Sequence, residues 1–179
     1  VMNNYKIPLI YALDLLRGME MDVQNARYVT LRDLEEYCYC VAGTVGLMMA
    51  HILGVSDKKA LTNACALGIG MQLTNISRDV REDWERGRCY IPRSFFKNHD
   101  EVSFFNLENR EEVFSSVAQL LRHAQIFYKQ GLNGTEYLNL NCALGIQSAG
   151  RIYSAIGDKV LGLKHRWWNV RAVVSTQYK

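Results

Sequence analysis

Asn75, Asp79 and Asp83 stand four residues apart in the stretch GMQLTNISRDVREDWERGRCYIP, which runs from Gly70 to Pro92. On an α-helix, residues at i and i+4 share a face, about 6 Å apart along the axis. The three side chains therefore form one row of oxygen donors, continued upward by Gln72 and flanked by Glu82. Hard oxygen ligands without His or Cys suit Mg²⁺, with Mn²⁺ as an alternative; Mg²⁺ keeps several waters and bridges to substrate phosphates. A plainer reading makes the row a solvated helix end, with intrahelical pairs to Arg78 and Arg86. Position separates the two. The row begins inside an uncharged helix, where Gln72 and Asn75 would be buried polar groups in need of partners. A metal-bound diphosphate at the mouth of an apolar cavity would supply those partners.

The elements that must position this row are helices. Strand-like alternation is absent, and apolar residues recur at three- and four-residue spacing throughout. A first helix follows Pro8 (LIYALDLLRGMEMDV), with the proline near its first turn. A second starts after Thr30, a plausible N-cap, and runs to a stop at Gly54. Ser56 caps a long third helix, 57–86, which carries the row and ends at Gly87. After an aromatic loop around Phe95 and Phe96, two more helices span about 109–130 and 136–163. No repeat, low-complexity tract or linker divides them, so the expectation is one all-α domain over residues 1–179.

Two of these segments are free of Lys, Arg, Asp and Glu: Tyr37 to Val55 and Ala60 to Ser77. The first is long enough to cross a membrane. Its glycines, Thr44, two tyrosines and His51, with Arg32, Asp33, Glu35 and Glu36 just before it, argue against that. Helices apolar all round belong inside a bundle or around an apolar cavity. Their small residues (Ala42, Gly43, Gly46, Gly68, Gly70) leave room for a neighbouring backbone or for a ligand, and the spacing does not choose between these.

The totals narrow the classes. At 179 residues, 49% hydrophobic and 22% charged, the chain is long enough for one well-buried core. A net charge of +3, with no Lys/Arg run among aromatics, gives no support to nucleic-acid binding. Five cysteines, with no CxxC pair and no His at zinc-ligand spacing, read as reduced thiols in an intracellular protein. A carboxylate metallohydrolase is disfavoured, because no His or general base accompanies the row.

YCYCVAGTVGLMM and GIGMQLTNISRDVREDWERGRCYIP strongly resemble the squalene/phytoene synthase family, phytoene synthases in particular. LLRGMEMDVQNARYVTLRDL, RHAQIFYKQGL, RIYSAIGDKV and RAVVST extend the likeness over nearly the whole chain. The resemblance implies an isoprenoid-synthase-type helical bundle around a central hydrophobic cavity. It also implies head-to-head condensation of two geranylgeranyl diphosphates through a cyclopropyl diphosphate, in carotenoid biosynthesis, with Mg²⁺ held by two Asp-rich motifs.

On that resemblance Asn75, Asp79 and Asp83 form the second Asp-rich motif and are the metal ligands, Asp79 and Asp83 being catalytic with Tyr37. Tyr37 would stand beside the reacting carbons. Gln72, Arg78, Tyr153 and Arg171 would reach the diphosphates. Val41, Ala42, Val45 and Gly46 would line the channel, faced by Leu67 and Met71. Expected with this are a prenyl diphosphate substrate, no NADPH, and a cytoplasmic enzyme associated peripherally with membranes (plastid in a plant or alga). The family's first Asp-rich motif has no counterpart between Val1 and Asp22. The chain is therefore expected to be the C-terminal three-fifths of an enzyme, inactive alone. The alternatives are condensation of two farnesyl diphosphates, as in squalene or dehydrosqualene synthases, and a non-catalytic membrane or scaffold protein of hydrophobic helices.

Overall fold

The computed structural model describes residues 2–97 and 99–173, the side chain of His165 excepted. Among the described residues seven α-helices carry the fold: α1 (Leu9–Val23), α2 (Leu31–Cys38), α3 (Thr44–Ile52), α4 (Lys58–Glu85), α5 (Glu101–Phe104), α6 (Arg110–Leu132) and α7 (Leu140–Leu163). No strand occurs among the described residues. Helix α4 is the central element and packs against α3, α6 and α7. Its buried face (Leu67, Leu73, Ile76, Val80) meets Val113, Val117, Leu120, Leu121 and Ala124 of α6 in one continuous core. No helix among the described residues is long and apolar enough to cross a membrane.

Local chemistry sets the helix ends. Thr30 Oγ1 accepts from Asp33 N–H (3.2 Å) while Asp33 Oδ2 accepts from Thr30 N–H (2.8 Å), a reciprocal capping box. Gly87 ends α4 at φ +75°. Its N–H bonds to Trp84 O, and that of Arg88 to Asp83 O at 2.8 Å, the two bonds of a left-handed helix stop that glycine adopts without strain. Gly54 (φ +81°) closes α3 in the same way.

Three expectations are corrected. Asp57, not Ser56, caps α4, its Oδ1 accepting from the N–H groups of Lys59 and Ala60. Both residue types cap well, so their order alone does not choose. The helix expected from 136 is split: a 3₁₀ turn over Asn133–Tyr137 precedes α7, which Asn139 caps by accepting from Cys142 N–H. The helix expected over 31–53 is interrupted by a π-helical segment, Tyr39–Gly43, between α2 and α3. There Thr44 N–H reaches back five residues to Tyr39 O, and Thr44 Oγ1 donates to Cys40 O at 2.6 Å. One extra residue in a turn leaves apolar periodicity almost unchanged, so the sequence pattern does not reveal it.

Candidate active site

The π-helical segment, α3, α4, the end of α6, the 3₁₀ turn at 133–137 and α7 line a partly open cavity of about 320 Å³. Val41, Ala42, Val45 and Gly46 line one wall, with Leu67 and Met71 of α4 also lining it. Sequence reasoning missed Met49, Leu138 and Ile146, which also line the cavity. Met49 stands one turn beyond Val45 on α3, where helical spacing could have found it, whereas Leu138 and Ile146 are brought there only by the tertiary fold. Along α4 the lining residues run from Ala60 to Asn75, about 22 Å of helix at 1.5 Å per residue. Polarity rises along that line. Gln72, Asn75 and Tyr153 bring the polar side chains, and Asn75 Nδ2 donates to Gln72 Oε1 at 3.4 Å.

Glycines serve the packing of this wall. A Cβ on Gly46 would collide with the carbonyl of Ala64, and one on Gly68 with the carbonyl of Ala42. Close approach of α4 to α3 and the π-helical segment therefore requires them, although both also border the cavity. Of the two readings the sequence left open, backbone approach holds at Gly46 and Gly68.

One turn beyond Asn75, Asp79 accepts two hydrogen bonds from Arg78, Nε at 2.8 Å and Nη2 at 2.5 Å. Arg171, from the segment after α7, approaches Asp79 Oδ1 at 3.2 Å and Glu82 Oε1 at 3.4 Å. Arg78 and Arg171, with Arg81, Glu82, Trp167 and Trp168, line a polar pocket of about 300 Å³. Of the closing RAVVST motif, residues 174–176 lie outside the described residues. Asp83 completes the row. Burial, then the neighbouring charge of Asp79, pushes its carboxyl up to about 6, against the pull of Arg88 and Arg86.

These residues fit a magnesium ion in kind. No group of three or more His, Cys, Asp or Glu among the described residues could hold a metal. Mg²⁺ takes one or two carboxylates and completes its shell with water and phosphate oxygens, so Asn75, Asp79 and Asp83 form an adequate protein share. Burial is the main cause of the raised Asp83 carboxyl and the neighbouring Asp79 charge adds to it; a divalent cation between the two carboxylates would relieve that second contribution.

Tyr37 stands apart from the cavity lining, one helical turn before Val41. It is 2% exposed, and its hydroxyl donates to Asp22 at 2.9 Å. Tyr90 donates to the same carboxylate at 2.7 Å. The Tyr28, Tyr37 and Tyr90 rings pack with centroids 5.2–6.1 Å apart. Burial raises all three phenols, Tyr90 to about 12, so each keeps its proton at neutral pH. Asp22 and Tyr90 fall inside the quoted motifs, but 68 residues separate them and no spacing rule joins them.

An all-α bundle around an apolar cavity, with an acidic row at its polar end, defines the isoprenoid-synthase class of fold. Residues 1–178 match the squalene/phytoene synthase family, and the chain belongs to it. It is similar to the 15-cis-phytoene synthase of Enterobacter agglomerans, 41% identical over 171 residues, 94% of this chain and 58% of that protein. The 15-cis-phytoene synthase of Pantoea ananas is 40% identical over 171 residues, 94% of this chain and 55% of that one. A dehydrosqualene synthase solved with a ligand superposes with a TM-score of 0.80 at 28% identity, covering 89% of this chain and 57% of that one. A squalene synthase from Alicyclobacillus acidocaldarius shares the fold, with a TM-score of 0.79 at 20% identity over 92% of this chain and 63% of that one. The chain spans about half the length of the curated relatives it matches.

Proposed function

We propose that this chain is the C-terminal part of a Mg²⁺-dependent prenyltransferase that condenses two geranylgeranyl diphosphates head to head to phytoene. The observation that carries the reading is the course of α4, which lines the apolar cavity from Ala60 and reaches the acidic row at Asn75. Hydrocarbon tails would lie in the cavity and their diphosphates beside the row. Mg²⁺ held by Asn75, Asp79 and Asp83 would supply the positive charge that stabilises a leaving diphosphate.

The protein's own residues account for the rest of the chemistry. Arg78 and Arg171, already gathered around Asp79, add guanidinium donors for phosphate oxygens. Tyr153 and Gln72 stand where the cavity turns polar, placed to orient a headgroup. The aliphatic walls exclude water, which would otherwise capture an allylic cation. The aromatic face of Tyr153, which lines the cavity, would stabilise positive charge without acting as a nucleophile. A reaction that ends by proton loss needs no NADPH. The preceding part of the enzyme would supply the first Asp-rich motif. Peripheral contact with a membrane would deliver the lipid substrate, in the cytoplasm or in a plastid. The likeness to a dehydrosqualene synthase favours one second reading, the same condensation with farnesyl diphosphate.

The test is Asp79→Ala in the full-length enzyme. Loss of a charge-stabilising contact worth several kcal/mol lowers the rate on the order of a thousandfold while helicity is retained. Near-normal turnover would reduce the row to a solvated helix end.

A further inference from the structure

Helix α1 is amphipathic in the opposite sense to a core helix. Leu9, Leu13, Leu16 and Val23 share a face and are 50–85% exposed. The face turned toward the protein carries Asp14, Gly18 and Asp22, with Arg17 at its edge. These polar groups meet partners in one short stretch. Tyr39 Oη donates to Asp14 Oδ2 at 2.9 Å, and Tyr37 Oη to Asp22 Oδ1 at 2.9 Å. Arg17 donates to Cys40 Sγ at 3.1 Å and pairs with Glu36 at 3.2 Å. At Gly18 a Cβ would lie 2.6 Å from Val41 Cγ1 and 2.8 Å from Cys40 Cβ, so the α1 backbone rests directly on residues 40 and 41.

Tyr39, Cys40 and Val41 lie within the π-helical segment, and Glu36 and Tyr37 lie in the last turn of α2 that leads into it. A π-turn is a rare, single-turn interruption of an α-helix and survives where its surroundings secure it. In this one, Val41 and Ala42 are cavity wall. A phenol that donates to a carboxylate makes a charge-assisted bond, roughly twice as strong as a neutral one. Burial keeps both phenols protonated and therefore donating.

We propose that α1 is a brace that fixes the shape of the cavity wall. Asp14 and Asp22 are positioning residues that act through Tyr39 and Tyr37 on Val41 and Ala42, and so on which hydrocarbon length fits. The inference rests on the reading that this cavity holds the hydrocarbon tail.

The test measures binding of farnesol and of geranylgeraniol to the chain by displacement of a fluorescent apolar dye, which needs neither metal nor turnover. Tyr39→Phe removes one hydroxyl and Asp14→Leu removes its acceptor. Each changes the ratio of the two affinities by about threefold or more, the scale of one lost hydrogen bond. The double variant changes it no further than the larger single one, because both remove the same contact. Asp14→Asn retains an acceptor oxygen and stays within about twofold of wild type. Far-UV circular dichroism checks the fold; if Asp14→Leu does not fold, Tyr39→Phe decides. An unchanged ratio in folded Tyr39→Phe overturns the brace. Failure of the wild-type chain to bind either alcohol overturns the cavity reading, and the brace with it.

Discussion

Gly68→Ala probes the contact on which the cavity wall depends. A methyl group there would lie 2.7 Å from Ala42 C and 3.1 Å from Gly43 N, besides colliding with the Ala42 carbonyl oxygen. These are backbone atoms of the π-helical segment and cannot rotate aside, so α4 and the segment must separate. Forcing a methyl into a tight helix contact costs about 1–3 kcal/mol. Alanine recovers up to about 1 kcal/mol because it is the better helix former. Because the clash is with backbone, the upper end applies and the net loss is about 2 kcal/mol, a fall of about 4–8 °C in Tm for a domain of this size. Gly145→Ala is the internal control. It lies within α7 with nothing within 4 Å of the added carbon, so Tm rises by about 1–3 °C. Thermal melts of the two variants and wild type, followed by far-UV circular dichroism, read both signs. A Gly68→Ala melt at or above wild type would refute the claim that close backbone approach is what the glycine serves.

Asp83→Asn has a pH-dependent effect on the metal-free protein. A folded carboxyl at about 6, above its ordinary value, contributes stability at pH below that ordinary value and loses it as pH rises through 6. The amide therefore stabilises the fold at pH 8 by about 1 kcal/mol, discounted for partial exposure, and not near pH 4. Urea midpoints at both pH values with a chelator present check this, and an equal change at both would contradict it. Ala42→Phe fills part of the 320 Å³ cavity and, in the full-length enzyme, should shorten or abolish product; unchanged product length and rate would assign Ala42 to packing alone.

Much of the fold is legible because its signals are local. The Thr30 cap, the Gly87 stop and the 15-residue run of α1 each follow from a few neighbouring side chains. The π-turn at Tyr39–Gly43 is not legible, because it is a property of backbone register. The brace is invisible for a related reason: the Asp14–Tyr39 and Asp22–Tyr37 bonds join residues 25 and 15 positions apart, in different helices. At the site, the i+4 rule places Asn75, Asp79 and Asp83 on one face of α4. It does not foretell that Arg171, 92 residues later, would reach Asp79. The uncharged runs announce an apolar cavity, but whether Gly46 and Gly68 serve ligand or backbone depends on interhelical distance, which composition does not encode.

Product analysis with the full-length enzyme, Mg²⁺, and C15 or C20 prenyl diphosphate supplied separately, each with and without NADPH, tests the central claim most directly. Phytoene from the C20 substrate, formed without reductant, is the predicted result. Preference for the C15 substrate, or a requirement for NADPH, would contradict the phytoene reading, and no condensation product from either would contradict the catalytic reading altogether.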